Sequence, residues 1–176
     1  MKRAEGTKSK FKQAGEDLFN FAIDRNDVKI LISNLPQESS CKPETVEYEL
    51  QLLKIISTGW SIPFFLEKNS LKEQVTEAYW KEILEFSRSL SEKTTILTGQ
   101  AIDYFQFIKD RLAMYVAALA EKPDVTEPAA VIGPEFARHC GNVNDVFAVM
   151  TGSRMFIMTV ARVREYLNAE IFAAAG

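Results

Sequence analysis

The chain has few of the residues on which most metal and catalytic chemistry depends. Among its 176 residues there is one histidine, His139, and there are two cysteines, Cys41 and Cys140. A metal site needs three or four ligands, and one histidine cannot supply the two Glu-x-x-His motifs of the di-iron carboxylate bundles. Two widely separated cysteines lack the dense pairing of a small secreted domain. Both therefore read as reduced thiols in a cytoplasmic protein. The eight glycines are scattered, with no G-x-S-x-G, no Walker loop and no G-x-G-x-x-G. No apolar signal core follows the N-terminus. The strongest membrane candidate, Phe147 to Val163, is interrupted by Thr151, Gly152, Ser153 and Arg154 and is shorter than the ~20 apolar residues a bilayer requires, so no transmembrane span is expected.

Charge of one sign is also scarce. A formal net charge of −3 and a pI near 5.4 argue against the clustered Lys and Arg of a nucleic-acid footprint, and no nucleic-acid partner is expected. The exception is local: Lys2, Arg3, Lys8, Lys10 and Lys12 against Glu5 give the first twelve residues a charge of +4. A flexible, solvated basic end at about residues 1–10 is the reading favoured over a phosphate- or membrane-attracted tail.

What the chain does have is helical spacing. From Leu71 to Lys122 there is no proline and one glycine. Phe86, Leu90, Leu97, Ala101, Phe105, Ile108, Leu112, Tyr115 and Leu119, with Thr94 in the polar slot, recur at a mean step of about 3.7 residues, close to the 11-residue repeat that keeps a stripe on one side of a nearly straight helix. The register survives Gly99, which favours one long or bent helix spanning roughly 70–122, or two nearly collinear ones, over a tight hairpin. A turn at Thr98-Gly99-Gln100 is the alternative.

Around this run the sequence predicts further helices. One covers about Lys8 to Ile32, with Phe11, Ala14, Leu18, Phe21 and Ala22 inward, closed by Asn34-Leu35-Pro36. Another begins near Pro43, a good first helical position, with Glu44 in the first turn and Val46, Leu50, Leu53, Ile56 and Trp60 on its face. Pro63 must kink or end it. Ser70 with Glu73 predicts a capping box for the long helix. Past a proline-rich crossover, Pro134 should open a short helix that Gly141 ends. A last helix, about Asn144 to Phe172, should bury Val146, Met150, Ile157, Val160, Leu167 and Ile171, with a bend at Gly152-Ser153. No strand alternation appears. The expected fold is all-α, one domain over 1–176 built as a bundle of about four long helices. At this size a domain buries about 70% of its unfolded surface, so no metal, disulfide or cofactor is needed.

Chemistry-bearing pairs are few. Glu135 and His139 share a helix face at i, i+4, with Cys140 next door, but adjacent helical residues diverge and no third orienting group is visible for a nucleophile. Glu82 with Glu85, and Asp103 with Asp110, read as a solvated face. No catalytic residue, metal ligand or cofactor is assigned. Two apolar clusters stand out. One is the kinked segment from Trp60 to Leu66, including Phe64 and Phe65. The other is Met150, Met155, Phe156 and Met158. Core is the favoured reading of both; either, if exposed, implies a partner.

The order Phe86-Ser87-Arg88-Ser89-Leu90, then Phe107-Ile108-Lys109-Asp110-Arg111-Leu112, then a proline-containing break, then Pro134-Glu135-Phe136-Ala137-Arg138, resembles the layout of phasins, the helical proteins that coat polyhydroxyalkanoate granules. The resemblance covers about Trp80 to Met155. It implies a noncatalytic protein that lays an apolar helix face on a polymer surface and oligomerises when free. Three functions remain open. The leading one is a noncatalytic interaction or scaffolding protein, as a homo-oligomer or with a protein partner, using Trp60, Phe64, Phe65, Phe105, Ile108 and Leu112. The second is a phasin-like granule binder using Phe105, Ile108 and Leu112. The third is a bundle with a small-molecule or catalytic pocket near His139 or the Met150 to Met158 bend.

Overall fold

The computed structural model describes the backbone of residues 2–172 and the side chains from residue 10 onward. The chain order is α1 (Lys2–Ile23), α2 (Asn26–Ser33), α3 (Pro43–Phe65), α4 (Lys72–Thr98), α5 (Tyr104–Ala120), α6 (Ala129–His139) and α7 (Val146–Leu167), the last closing in a wide π turn, Asn168–Phe172. No strand occurs among the described residues. The all-α expectation holds, and the count of about four long helices fits roughly. Helices α1, α3, α4 and α7 are 22 to 27 residues long, and three shorter helices pack around them.

Helix α3 is the centre. Pro43 opens it as expected, and Val46, Leu50, Leu53 and Ile56 are all buried. It meets α1, α2, α4, α5, α6 and α7, so its burial extends beyond one stripe to Leu52, Ile55, Thr58 and Ser61. Pro63 is carried in the last turn, and the helix stops two residues later at Phe65. Helix α1 lies along α4, and α7 lies between α3 and α6.

Several expected boundaries move, each for a physical reason. Helix α1 starts at Lys2, ahead of the predicted Lys8, so within the basic stretch expected at about 1–10 the backbone of residues 2–10 is helical. Its side chains through residue 9 lie outside the described residues. The single helix expected to reach Ile32 is broken at Asp24-Arg25, where Asp24 Oδ1 accepts from the Asn26 amide at 2.9 Å. The break serves Lys54, whose side chain is 1% exposed. Lys54 Nζ donates to the Asp24 carbonyl at 2.8 Å, pairs with Asp27 at 3.0 Å and sits 4.4 Å from the Phe21 ring centroid. A buried ammonium must find acceptors, and the interrupted helix offers a free carbonyl.

The long helix over 70–122 is two helices. Gly99 closes α4 with φ of 71°, the left-handed C-cap conformation that glycine adopts without a side-chain penalty, and Asp103 caps α5 by accepting from the Gln106 amide at 3.0 Å. The chain then folds back: the Tyr104 amide donates to Ser91 Oγ at 3.2 Å. The stripe kept its phase across this turn by coincidence, and its members Phe86, Leu90 and Leu97 are exposed. The capping box does not form. Leu71 is the N-cap of α4 without a side-chain bond, and Asn69 Oδ1 takes the Leu71 amide instead. Pro134 does not open α6. Pro128 precedes its first residue and Pro134 sits in its interior, leaving the carbonyl of exposed Ala130 to solvent.

Helix α7 is rotated from its expected phase. Leu167 and Ile171 are buried as predicted, but Val146, Met150 and Ile157 face outward, 64%, 58% and 55% exposed. The inward face carries Ala148, Thr151, Gly152, Met155, Phe156, Thr159 and Val163. Helix α7 runs through Gly152 without interruption. This glycine is a close approach, and a Cβ there would lie 2.5 Å from the buried Phe136 ring of α6.

Candidate functional site

The six residues proposed from sequence do not form one surface. Trp60, Phe64 and Phe65 do sit together at the C-terminal end of α3. Trp60 stacks on Phe64 with centroids 5.2 Å apart, and Phe64 meets Phe65 edge-on at 5.1 Å. Of these, Phe64 is the exposed one, at 59%, while Trp60 and Phe65 pack partly against the core. Leu112 lies near Trp60, with Val116 and Phe156 beside them. Ile108 points inward and is 3% exposed. Phe105 lies apart, over an open groove between α4 and α5 with Leu84 and Arg88.

The methionine cluster divides between core and surface. Met155 and Phe156 are buried, while Met150 and Met158 are exposed with Val143, Val146 and Ile157. Positions 146, 150, 154, 157 and 158 share one side of a helix by the 3.6-residue period, so these side chains form an apolar stripe along α7 with exposed Arg154 within it. Arg162, Arg164 and Glu165 are exposed further along the helix. Val146–Phe172 is also long and apolar enough to cross a membrane by length and composition, with a mean hydropathy of 1.4 over 18 residues. Its inner side packs on α3 and α6 as a core helix does.

Inside the molecule, side chains from three helices meet in a polar cluster. Arg111 of α5 donates through Nη2 to Glu49 Oε1 of α3 at 2.5 Å, and its Nη1 lies 3.1 Å from His139 Nδ1 of α6. A guanidinium has no acceptor. His139 Nδ1 therefore carries the lone pair, and the ring proton is on Nε2, 3.3 Å from Glu135 Oε1 in a geometry that makes no hydrogen bond. The Tyr115 ring meets the imidazole edge-on at 5.3 Å. Burial, then the positive charges of Arg111 and Arg138, push the His139 pKa down to about 4. Burial pushes the Glu49 carboxyl up, with Arg111 pulling the other way. Burial also raises the Cys140 thiol far above its ordinary range, helped by Cys41 and Glu49, so no thiolate is on hand as a nucleophile. The cluster holds α5 against α3 and α6.

His139 has a pH signature of its own. Its ordinary pKa is about 6.5, so below that value the unfolded chain takes a proton that the folded state refuses. Stability is then lost as the pH falls from about 6.5 to about 4, by about 3 kcal/mol in all. As the chain has a single histidine, denaturant midpoints measured between pH 7 and 5 should fall in the wild type and stay nearly level in His139→Gln. Equal slopes in both proteins would refute this account.

A second buried carboxylate, Asp145, caps α7 and ties it to the loop before α3. Its Oδ1 accepts from the Ala148 amide at 2.9 Å. Its Oδ2 accepts from Ser39 Oγ at 2.9 Å, the Ser40 amide at 2.6 Å, Ser40 Oγ at 2.9 Å and the Cys41 amide at 3.2 Å. Burial opposes its ionisation, but the bonds from Ala148, Ser39 and Ser40 outweigh it and hold the carboxyl well below the usual range. The other carboxylate pairs do not converge. Asp103 caps α5, Asp110 accepts from Gln106, and Glu85 lies 3.9 Å from Lys81. No group of three metal-ligating side chains occurs among the described residues.

One interhelical cleft lies away from the positions suggested for a pocket. It opens between α3, α4 and α5, with a volume of about 380 Å³, around Leu52, Ile55, Phe86, Leu90, Tyr104 and Ile108. Sequence reasoning missed this cleft and the clusters at Glu49 and Asp145. The Glu135-His139 pair was the one fragment with a local signal.

Fold and sites together define an all-helical protein with an apolar outer face and a braced interior. Comparison with family models, curated proteins and solved structures returns no match.

Proposed function

We propose that this protein is a noncatalytic helical interaction module whose partner docks on the outer face of α7. The observation that carries the reading is the row of Val146, Met150 and Ile157, each more than half exposed on the helix that packs its other side into the core. Exposed apolar side chains on one face, bordered by charge, are the usual form of a docking surface for an amphipathic helix. Two methionines give such a surface adaptable packing. The charge on the same helix selects the occupant: exposed Arg154, Arg162 and Arg164 outnumber exposed Glu165 and, in the closing π turn, Glu170. The partner that fits is an amphipathic helix with an apolar stripe and acidic flanks. A second copy fits less well, because a two-fold pairing of α7 centred near Arg154 brings like charges together.

The test is fluorescence polarisation with two synthetic amphipathic peptides, one with glutamates and one with lysines flanking the same leucine stripe. The acidic peptide should bind, and Ile157→Asp should weaken it by more than about tenfold, the scale of losing one central apolar anchor. Absence of binding, or binding indifferent to Ile157→Asp, would sink the proposal. Concentration-dependent dimerisation abolished by Ile157→Asp would replace the partner by a second copy. The phasin-like reading rests on Phe105, Ile108 and Leu112, and is less well supported because Ile108 is buried.

A further inference from the structure

The cleft between α3, α4 and α5 has a built polarity of its own. Its floor is Leu52, Ile55 and Ile108, all buried, with Ser87 beneath. Its walls are Tyr48, Phe86 and Leu90, which stay 37–40% exposed. Large apolar side chains left half-covered around a buried apolar floor make a concavity that water fills poorly. The volume of about 380 Å³ lies at the small end of the range of small-molecule sites.

The charged lining groups are Glu44 and Glu47 from α3 and Arg25 from the break between α1 and α2, with Gln51 one turn along α3 from Glu47. Arg25 pairs through Nη2, 2.5 Å from Glu47 Oε1. Gln51 donates its Nε2 to the Ala22 carbonyl at 2.8 Å, so its other amide atom is an acceptor, and that atom has no donor. Two carboxylates and one guanidinium line this end, and the free amide atom is an acceptor. The charge at this end is net negative. Three aromatic rings, Tyr48, Phe86 and Tyr104, also line the cleft, and aromatic rings attract cations.

We propose that this cleft binds a small hydrophobic amine, its ammonium head at Glu44 and Glu47 and its alkyl or aryl body over Leu52, Ile55 and Ile108. An ammonium supplies three donors and no acceptor, the complement of the groups present. A carboxylate of the same length meets two like charges and shares the one guanidinium with Glu47. This site is separate from the α7 face, and its test does not depend on that reading.

The experiment is isothermal titration of the full chain with n-octylamine, octanoate and octanol at neutral pH. Octylamine should bind with one-to-one stoichiometry, with octanoate weaker by about tenfold, the scale of one partly exposed charge contact. The double variant E44Q/E47Q should erase or reverse that preference, because it removes both carboxylates and frees Arg25. Leu90→Trp and, separately, Phe86→Trp fill the cleft from its wall and should abolish binding while the helical circular dichroism is kept. Octanoate binding as well as octylamine in the wild type would overturn the assignment, as would octylamine binding that neither the double variant nor either tryptophan alters. Failure of all three probes to bind would overturn it equally.

Discussion

Replacing Arg111 with alanine is expected to lower the unfolding free energy by about 3–5 kcal/mol, the usual cost of leaving a buried charge without its partner. The Glu49 side chain is 4% exposed, and its Oε2 and the Arg111 Nε have no partner among the described residues. The pair therefore sits in the protein at a desolvation cost that the Glu49–Arg111 bond offsets. Removing both charges should be far milder: Glu49→Leu with Arg111→Leu is expected to recover most of the loss, because apolar groups of similar volume carry no desolvation penalty. Urea denaturation of the wild type, Glu49→Leu, Arg111→Leu and the double variant closes the cycle. A cost below about 1 kcal/mol for Arg111→Ala would mean that water reaches the Glu49 carboxylate.

Asp145→Ala should cost about 3–5 kcal/mol. The loss of an N-cap accounts for about 1 kcal/mol. The remainder comes from the Ser39–Cys41 loop, where hydroxyl and amide donors converge on Oδ2 and bonds to a charged acceptor contribute about 1.5–3 kcal/mol each before overlap. The folded pKa is depressed. This contribution is thus fully present above the ordinary carboxyl value of about 4 and is lost as the pH falls below it. In Asp145→Asn the acid-side decline should be shallower. Parallel acid titrations of the two proteins by circular dichroism would contradict the assignment. His139 acts at higher pH, so the two groups can be read separately from one profile.

Much of the fold was legible where one residue type does one job. Pro43 as a first helical residue and the Val46–Leu50–Leu53–Ile56 row of α3 required only propensity and period. Helix α7 misled because its inward face is partly made of small and polar residues. Ala148, Gly152 and Thr159 are chosen for close approach to neighbouring helices and carry little hydrophobic signal, while bulky Val146, Met150 and Ile157 stand outside. A periodicity count weighs bulk and so selects the wrong side. Gly99 misled differently: the spacing across 99–103 happened to match a helical step, and only the left-handed φ reveals the turn. The Glu49–Arg111–His139 cluster joins three helices, and the Asp145 anchor joins residues about a hundred positions apart. No local pattern encodes such meetings.

The short hold on α5 also sets the order in which the molecule opens. Ile108 and Tyr115 are its two buried residues, and a glycine turn and a proline-containing crossover bound it. Such a segment can detach as a unit without dismantling α3 or α7, so its amides should exchange with deuterium through a sub-global opening well before those of the central helix. Each such opening takes Tyr104 out of the lining of the cleft and Ile108 out of its floor. The shape of the cleft is therefore kept only as long as α5 stays docked.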